Sequence, residues 1–225
     1  MKIAAFIPAR KNSKRIKHKN RLKINNQLCL QKVVNNIQRS RIADTIFIST
    51  DDEYFFSKID GVKFLERDSN FSDDFSTVID LLSWHQHEHL MEYDFILHLY
   101  PHSICIDPDT IINAVNQFKK SKSLRMLSVA KLPSPIEWTF KLDNNMLISN
   151  YPGAELIRSQ DLEENYYNTG QFYIYKKEWF SKKDLENKTG YIIDRFQGVD
   201  VDEEPDIDLL KQCYEYYSKK IKALC

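Results

Sequence analysis

Apolar residues along this chain come in short runs, and most runs end on a proline, a charge or a polar cluster. Ile3-Ala4-Ala5-Phe6-Ile7 has the unbroken apolar character of a buried strand and stops at Pro8, which has no N–H to continue a ladder. The stretch 44–52 holds a second such strand with an acidic tip, Val62 to Leu65 a short third, and Phe95 to Tyr100 a fourth, closed by Pro101. Met126 to Ala130 is a further strand. Between the strands the spacing turns helical. Leu28, Leu30, Val33, Val34 and Ile37 form one stripe, residues 75–84 follow a capping Asp73-Asp74 pair, and Asp107-Pro108-Asp109 opens a helix through Phe118. Strands alternating with helices predict an α/β fold with a mostly parallel sheet covered on both faces. In such sheets the ligand sits beyond the carboxyl ends of the strands. Those ends are Pro8-Ala9-Arg10, residues 49–52 and residues 100–103, and all carry polar groups.

The pattern changes over 133–168, which is rich in Pro, Asn and aromatic residues. A hairpin is expected around Thr139–Ile148 with Asn144-Asn145 as its turn. Regularity returns with a strand at Gln171–Tyr175, a helix near 177–182, a strand at 191–193 and an amphipathic helix from Pro205 to about Ile221. Residues 1–225 therefore read as a single domain with an inserted arm at about 133–170.

Charge adds candidate chemistry. From Arg10 to Lys23, eight of fourteen residues are Lys or Arg and none is acidic. A buried strand ending in such a loop suits a polyphosphate, with Arg10, Lys14 and Arg15 neutralising its charge. A plain basic surface run fits the same residues, and neither glycine-rich phosphate motif occurs in the sequence. Net charge is zero, which argues against a nucleic-acid binder, yet residues 200–208 hold six acids in nine positions. The basic and acidic stretches meet across one site or form two solvated faces. Within the acidic stretch, Asp200 and Asp202 point the same way if the backbone is extended, a pairing that suits Mg²⁺. An acidic helix N-terminus explains the same residues. Arg158 is suited to clamp a carboxylate, and Gly170 to admit a ligand close to the backbone. His85, His87 and His89 read as a solvated helix end rather than a metal site. Four widely spaced cysteines, no apolar run long enough to cross a bilayer and no signal-peptide pattern point to a cytoplasmic protein with free thiols.

Taken together, these features resemble the cytidylyltransferases that activate nine-carbon acidic sugars as CMP-sugars. The opening motif resembles I-P-A-R-x-x-S-K-R-I-x-x-K-N, matched by Ile7, Pro8, Ala9, Arg10, Ser13, Lys14, Arg15, Ile16, Lys19 and Asn20. The Ser-Thr-Asp-Asp at 49–52, Asp73-Asp74, Leu99-Tyr100-Pro101 and Val199-Asp200-Val201-Asp202 follow in family order. The pseudaminic acid branch is the nearest likeness, through Arg158-Ser-Gln-Asp-Leu-Glu163 and the aromatic stretch closing on Gly170-Gln171-Phe172-Tyr173. Lys11-Asn12, Tyr167, Asn168-Thr169 and His102-Ser103-Ile104 depart from that branch's usual residues.

The resemblance implies a Rossmann-like sheet, a homodimer whose inserted arm reaches the neighbouring site, and Mg²⁺ as cofactor. It implies CTP and a nonulosonic acid as substrates. Arg10 and Lys14 would hold the triphosphate, Asp200 and Asp202 the metal, and these four would carry catalysis. Ala9, Ser13, Lys19, Asn20 and Asp73 would help bind the nucleotide, and Tyr100, Arg158, Gln160, Asn168 and Gln171 would face the sugar. N-acylneuraminate or legionaminate as the sugar, and a non-catalytic nucleotide-binding protein on the same fold, stay open at this point.

Overall fold

A computed structural model describes residues 1–71 and 76–224. In chain order its strands are β1 (Ile3–Pro8), β2 (Lys23–Ile24), β3 (Gln27–Leu28), β4 (Thr45–Thr50), β5 (Lys63–Glu66), β6 (Phe95–Leu99), β7 (Arg125–Lys131), β8 (Phe140–Asp143), β9 (Met146–Ser149), β10 (Tyr166–Lys176) and β11 (Lys188–Ile192). The helices are α1 (Cys29–Ser40), α2 (Val78–Glu88), α3 (Pro108–Lys120), α4 (Trp179–Lys182) and α5 (Glu204–Leu224).

Seven strands form one sheet in the order β5-β4-β1-β6-β10-β7-β11. All neighbours run parallel except β10, which is antiparallel to both β6 and β7. The unbroken apolar run of β1 has its reason here: all six of its residues are buried, with Ile3, Ala5 and Ile7 facing one core and Ala4 and Phe6 the other. On the first face lie α1, α3 and α5, through Val33, Ile37, Ile111, Val115 and Leu210. On the second lie α2 and α4, through Leu81, Leu82 and Trp179. The chain leaves β1 toward β4 on one side and later enters β6 on the other, so the carboxyl end of β1 is the point where the strand order reverses.

The arm leaves β7 and returns into β10, and the Leu132 N–H donating to the Asn165 carbonyl closes its base. Its hairpin β8–β9 turns on Asn144 and Asn145, at φ 45° and 65°. Two consecutive left-handed residues make the tight turn that suits strand twist, and asparagine tolerates them. Asn25 and Asn26, at φ 53° and 60°, turn β2 into β3 in the same way, a ribbon that the apolar pattern does not signal.

Two expectations are corrected. Helix α2 is capped by Thr77 in a reciprocal box with Asp80, not by Asp73-Asp74, which lie outside the described residues. His85 is not at a solvated helix end: it is fully buried, with Nε2 2.9 Å from the Ser49 hydroxyl. Helix spacing puts it on the same face as Leu81 and Leu82, so α2 carries it into the core. Among the described residues, no helix is long and apolar enough to cross a membrane, and Cys29, Cys105 and Cys213 are free and buried.

Candidate active site

The basic loop after β1 is held in a defined shape by the tip of β4. The Lys11 amide donates to Asp51 at 2.6 Å, and the Arg21 guanidinium makes two bonds to Asp52, at 2.7 and 2.6 Å. Asp52 is buried, and its bond with Arg21 holds its carboxyl below the usual range. Within the loop, the Asn20 side chain donates to the Arg10 carbonyl at 2.8 Å, and Ile16 plugs into the core. The acidic tip of β4 thus serves the loop as an anchor.

The basic and acidic stretches of the sequence meet. Arg15 donates to Asp202 at 2.6 Å and Lys19 lies 3.4 Å from the same oxygen. Asp206 turns back to accept from the amides of Asp202 and Glu203, at 2.8 and 2.7 Å, so it closes the start of α5 and leaves Asp202 for the cavity. The helix-terminus reading of the acidic stretch therefore holds for Asp206, while Asp200 and Asp202 face the cavities.

Asp200 accepts from His102 Nε2 at 3.0 Å and from the Val201 amide at 2.8 Å. Desolvation pushes its pKa up, but the His102 bond, Lys19 and the Val201 amide outweigh it, and the carboxyl ends below its ordinary value. His102 is itself shifted down, chiefly by burial. It is therefore neutral at pH 7, so its Nε2 gives Asp200 a hydrogen-bond donor rather than a charge. The other nitrogen, Nδ1, is then the lone-pair atom, and it has no partner among the described residues. The second oxygen of Asp200 faces Gly170, where a Cβ would lie 3.7 Å away.

Gly170 sits at φ +69° in an irregularity of β10, between Asn168 and Tyr173, where pairing with β7 is interrupted. The interrupted backbone is satisfied by side chains: Ser103 donates to the Gln171 carbonyl and Ser128 to that of Phe172, while Thr169 bonds Ser128. This bulge presents Asn168 and Gly170 to the site.

Two adjoining cavities result, of about 480 and 470 Å³, sharing Arg15, Lys19, Tyr100, His102 and Asp202. Arg10, Ser13, Lys14 and Asn20 line the first, and Asn168, Gly170 and Asp200 the second. Ala9 lies beneath the floor, its N–H donating to Ser49 and its carbonyl accepting from Thr50. Gln171 is fully buried and supports the site from behind, donating to the Val199 carbonyl at 3.0 Å. Arg158 and Gln160 lie exposed on the arm, where Arg158 pairs with Asp161, and neither lines these cavities. Asp73 is outside the described residues. The lining also includes Arg67, Ser76, Val78, Tyr167 and Tyr173, which sequence reasoning did not select. His102 was visible as a polar residue just past a strand end and as part of a departure from the branch's usual residues, and neither marked it as the partner of Asp200.

A family model described as cytidylyltransferase matches residues 4–219. The pseudaminic acid cytidylyltransferase of Campylobacter jejuni is 26% identical over 96% of this chain and 97% of its own length. The CMP-N,N'-diacetyllegionaminic acid synthase of Legionella pneumophila is 31% identical over 85% of this chain and 83% of its own. Among solved structures, CMP:2-keto-3-deoxy-manno-octonic acid synthetase complexed with CTP superposes with a TM-score of 0.70 at 16% identity, covering 98% of this chain and 100% of that one.

Proposed function

The chain belongs to the cytidylyltransferase family, and from that premise we propose that it activates a nine-carbon 2-keto sugar acid, pseudaminic acid, with CTP in the cytoplasm. The anomeric hydroxyl attacks the α-phosphorus. Its oxygen bonds to phosphorus as its proton is lost, the bond to the β-phosphate oxygen breaks, and pyrophosphate leaves. Positioning and charge stabilisation supply most of the rate in such a displacement. The observation that carries the reading is the convergence of the basic loop with Asp200 and Asp202 on one cleft where the strand order reverses. Arg10 and Lys14 line the cavity where a triphosphate fits, and Tyr100 and Asn168 line the part left for the sugar. A non-catalytic nucleotide binder would need only the basic loop, whereas here Asp202 lines both cavities and Asp200 the one that adjoins the triphosphate.

Mg²⁺ belongs to this proposal, held by Asp200 and Asp202. Their oxygens are the hard donors that magnesium prefers, and it binds through one or two carboxylates together with water and phosphate. The missing Cβ of Gly170 leaves room beside the second oxygen of Asp200. When bound, the ion would polarise the phosphate and acidify the sugar hydroxyl. Asp200 is kept in orientation by His102, and Asp202 by Arg15 and Lys19.

The arm supports a homodimer. Leu142, Met146, Leu147, Ile148 and Leu156 are exposed on it, an apolar surface left uncovered by the described residues, and Arg158 and Gln160 lie just beyond. In the dimer each arm would carry Arg158 and Gln160 to the sugar end of the other subunit's site.

Purified protein with CTP and Mg²⁺ is expected to release pyrophosphate with pseudaminic acid. Release only with N-acetylneuraminic or legionaminic acid would replace the sugar, and silence with all three without CTP binding would overturn the reaction. The arm makes its own prediction. Lys14→Ala and Arg158→Ala are each expected to be nearly inactive, while subunits of the two mixed after dissociation regain about a quarter of wild-type activity, because half the dimers then hold one intact site. No recovery on mixing would show that Arg158 does not serve the neighbouring subunit.

Gly198→Ala tests the packing behind the carboxylates. A Cβ at Gly198 would lie 2.7 Å from Thr169 Cγ2, and Thr169 is tied to Ser128 by two bonds, so the 198–202 segment must move. A displacement of that kind is expected to lower kcat about tenfold to a hundredfold, with CTP affinity and circular dichroism close to wild type.

A further inference from the structure

A third cavity, of about 250 Å³, adjoins the sugar end of the site and shares Val78, Tyr100, Asn168 and Tyr173 with the two larger ones taken together. It runs between the first turn of α2 and the face of the sheet made by β6, β10 and β7, and it is lined by His98, Arg125 and Tyr175. His98 is 1% exposed, and among the described residues neither of its ring nitrogens has a hydrogen-bond partner. Arg125 Nε is likewise buried without a partner, and among the described residues the Arg125 guanidinium has no carboxylate; it rests against the face of Trp179, 5.6 Å from the ring centroid.

Nothing in the fold requires these groups. His98 stacks on Tyr173 at 5.4 Å and packs against Phe6, contacts that a leucine or phenylalanine would make without burying two unsatisfied nitrogens. Burying an imidazole and the Nε of a half-buried guanidinium without acceptors destabilises the protein unless something else supplies the acceptors. Burial also keeps His98 neutral, with a pKa pushed down to about 3, so its ring offers one N–H donor.

The register gives the recess its depth. His98 pairs with Tyr173, while Arg125 pairs with Tyr175, two residues further from the site. At about 3.3 Å per residue, Arg125 stands on a strand position roughly 7 Å below the level of His98. The walls between are the aromatic faces of Tyr173 and Tyr175. A group entering from the sugar site therefore meets His98 beside the ring of Tyr173 first and the cationic guanidinium of Arg125 at the bottom.

Resting on the site's reading as a sugar-acid cytidylyltransferase, we propose that this recess receives an acyl substituent of the acceptor sugar, longer than acetyl, whose carbonyl oxygen accepts from His98 and whose terminal oxygen accepts from Arg125. Its methylene groups lie between the tyrosines, and a terminal hydroxyl or carboxylate meets the guanidinium. The recess then selects among nine-carbon acids by a substituent remote from the reacting hydroxyl.

The test compares acceptors that differ only in one acyl group: acetyl, 3-hydroxybutanoyl or succinyl. Pyrophosphate release is measured with CTP on the wild type, on Arg125→Met, which keeps a stem over Trp179, and on His98→Leu. The wild type is expected to favour at least one longer acceptor over the acetyl one by about tenfold or more in kcat/KM, the scale of one hydrogen bond to a charged donor. Arg125→Met should bring that ratio toward one, chiefly through KM, and His98→Leu should lower it less. Preference for succinyl assigns the floor to a carboxylate, and preference for hydroxybutanoyl to a hydroxyl; either supports the proposal. A wild type that uses all three equally or favours acetyl overturns it while leaving the transferase reading intact, as does a preference that survives Arg125→Met. Turnover of none overturns both.

Discussion

Asp200→Asn is expected to lower kcat for pyrophosphate release by about 10²–10³, the usual cost of losing one charge or dipole aimed at a reacting centre. Asparagine keeps the shape of the residue. Its amide oxygen still accepts from His102 Nε2 and the Val201 amide, so the turn before α5 stays in place and only the negative charge is lost. The Asp200 carboxyl is already held below its ordinary pKa, so the wild type is fully ionised at pH 7 and the variant changes one full charge. Affinity for CTP, measured by calorimetry, should change little, because Arg10, Ser13, Lys14 and Asn20 line the other cavity. Asp202→Asn should behave differently. Asp202 offsets Arg15 and Lys19, and neutralising it leaves both cations to the nucleotide. CTP is then expected to bind more tightly while kcat falls. A kcat for Asp200→Asn within threefold of wild type would remove Asp200 from the reaction.

That contrast rests on a pairing which the sequence leaves open. Arg15 and Asp202 are 187 positions apart, and only the sheet order, which puts β1 beside β6 and brings the start of α5 to the same end, makes them neighbours. What local chemistry governs is readable in the chain. The runs that became β1, β4 and β6 are buried on both faces and so mostly apolar, with Ser49, Thr50 and His98 as their buried polar exceptions. The cap at Asp107 with Pro108 in the first turn of α3, and the paired asparagines of the β8–β9 turn, are set by backbone geometry within a few residues. The basic loop was legible as a cationic cluster, yet its anchors, Asp51 and Asp52, look from the sequence like further ligand groups. Gln171 shows the same limit from the other side. It sits in a polar, aromatic motif but faces inward, because the bulge at Gly170 shifts the alternation of β10. His85 was misread because a histidine is polar in composition but not always in place.

The buried histidines carry the second large effect, which is on stability. His85 is pushed down to about 4, by burial first and then by the charges of His89 and Arg67, and His98 to about 3 by burial alone. His85 faces the Ser49 hydroxyl from β4, with Trp84 and Phe6 around it; His98 faces Phe6, Tyr100 and Tyr173. In the unfolded chain both titrate near 6.5, so between that pH and their folded values the unfolded state binds more protons. Stability is therefore complete above about pH 6.5 and is lost as pH falls through the window below it. Each group contributes a slope of about 1.4 kcal/mol per pH unit, so moving from pH 7 to pH 5 is expected to cost about 2 kcal/mol per histidine and about 4 kcal/mol for the two. Against a typical domain stability of about 5–15 kcal/mol this is a large share. The depressed carboxyls of Asp52 and Asp200 do not enter, since their linkage begins only as pH approaches 4. Urea unfolding at pH 7, 6 and 5 reads the slope directly. His102, lowered by burial as well, adds to the acid loss in the same direction, so His98→Leu should remove about 2 kcal/mol of it and, by filling the place of two unsatisfied nitrogens with carbon, leave the protein at least as stable at pH 7. A wild type equally stable at pH 7 and pH 5 would mean that both rings already have proton acceptors in the folded state, and the recess at His98 would then hold no unmet donor for a substrate to satisfy.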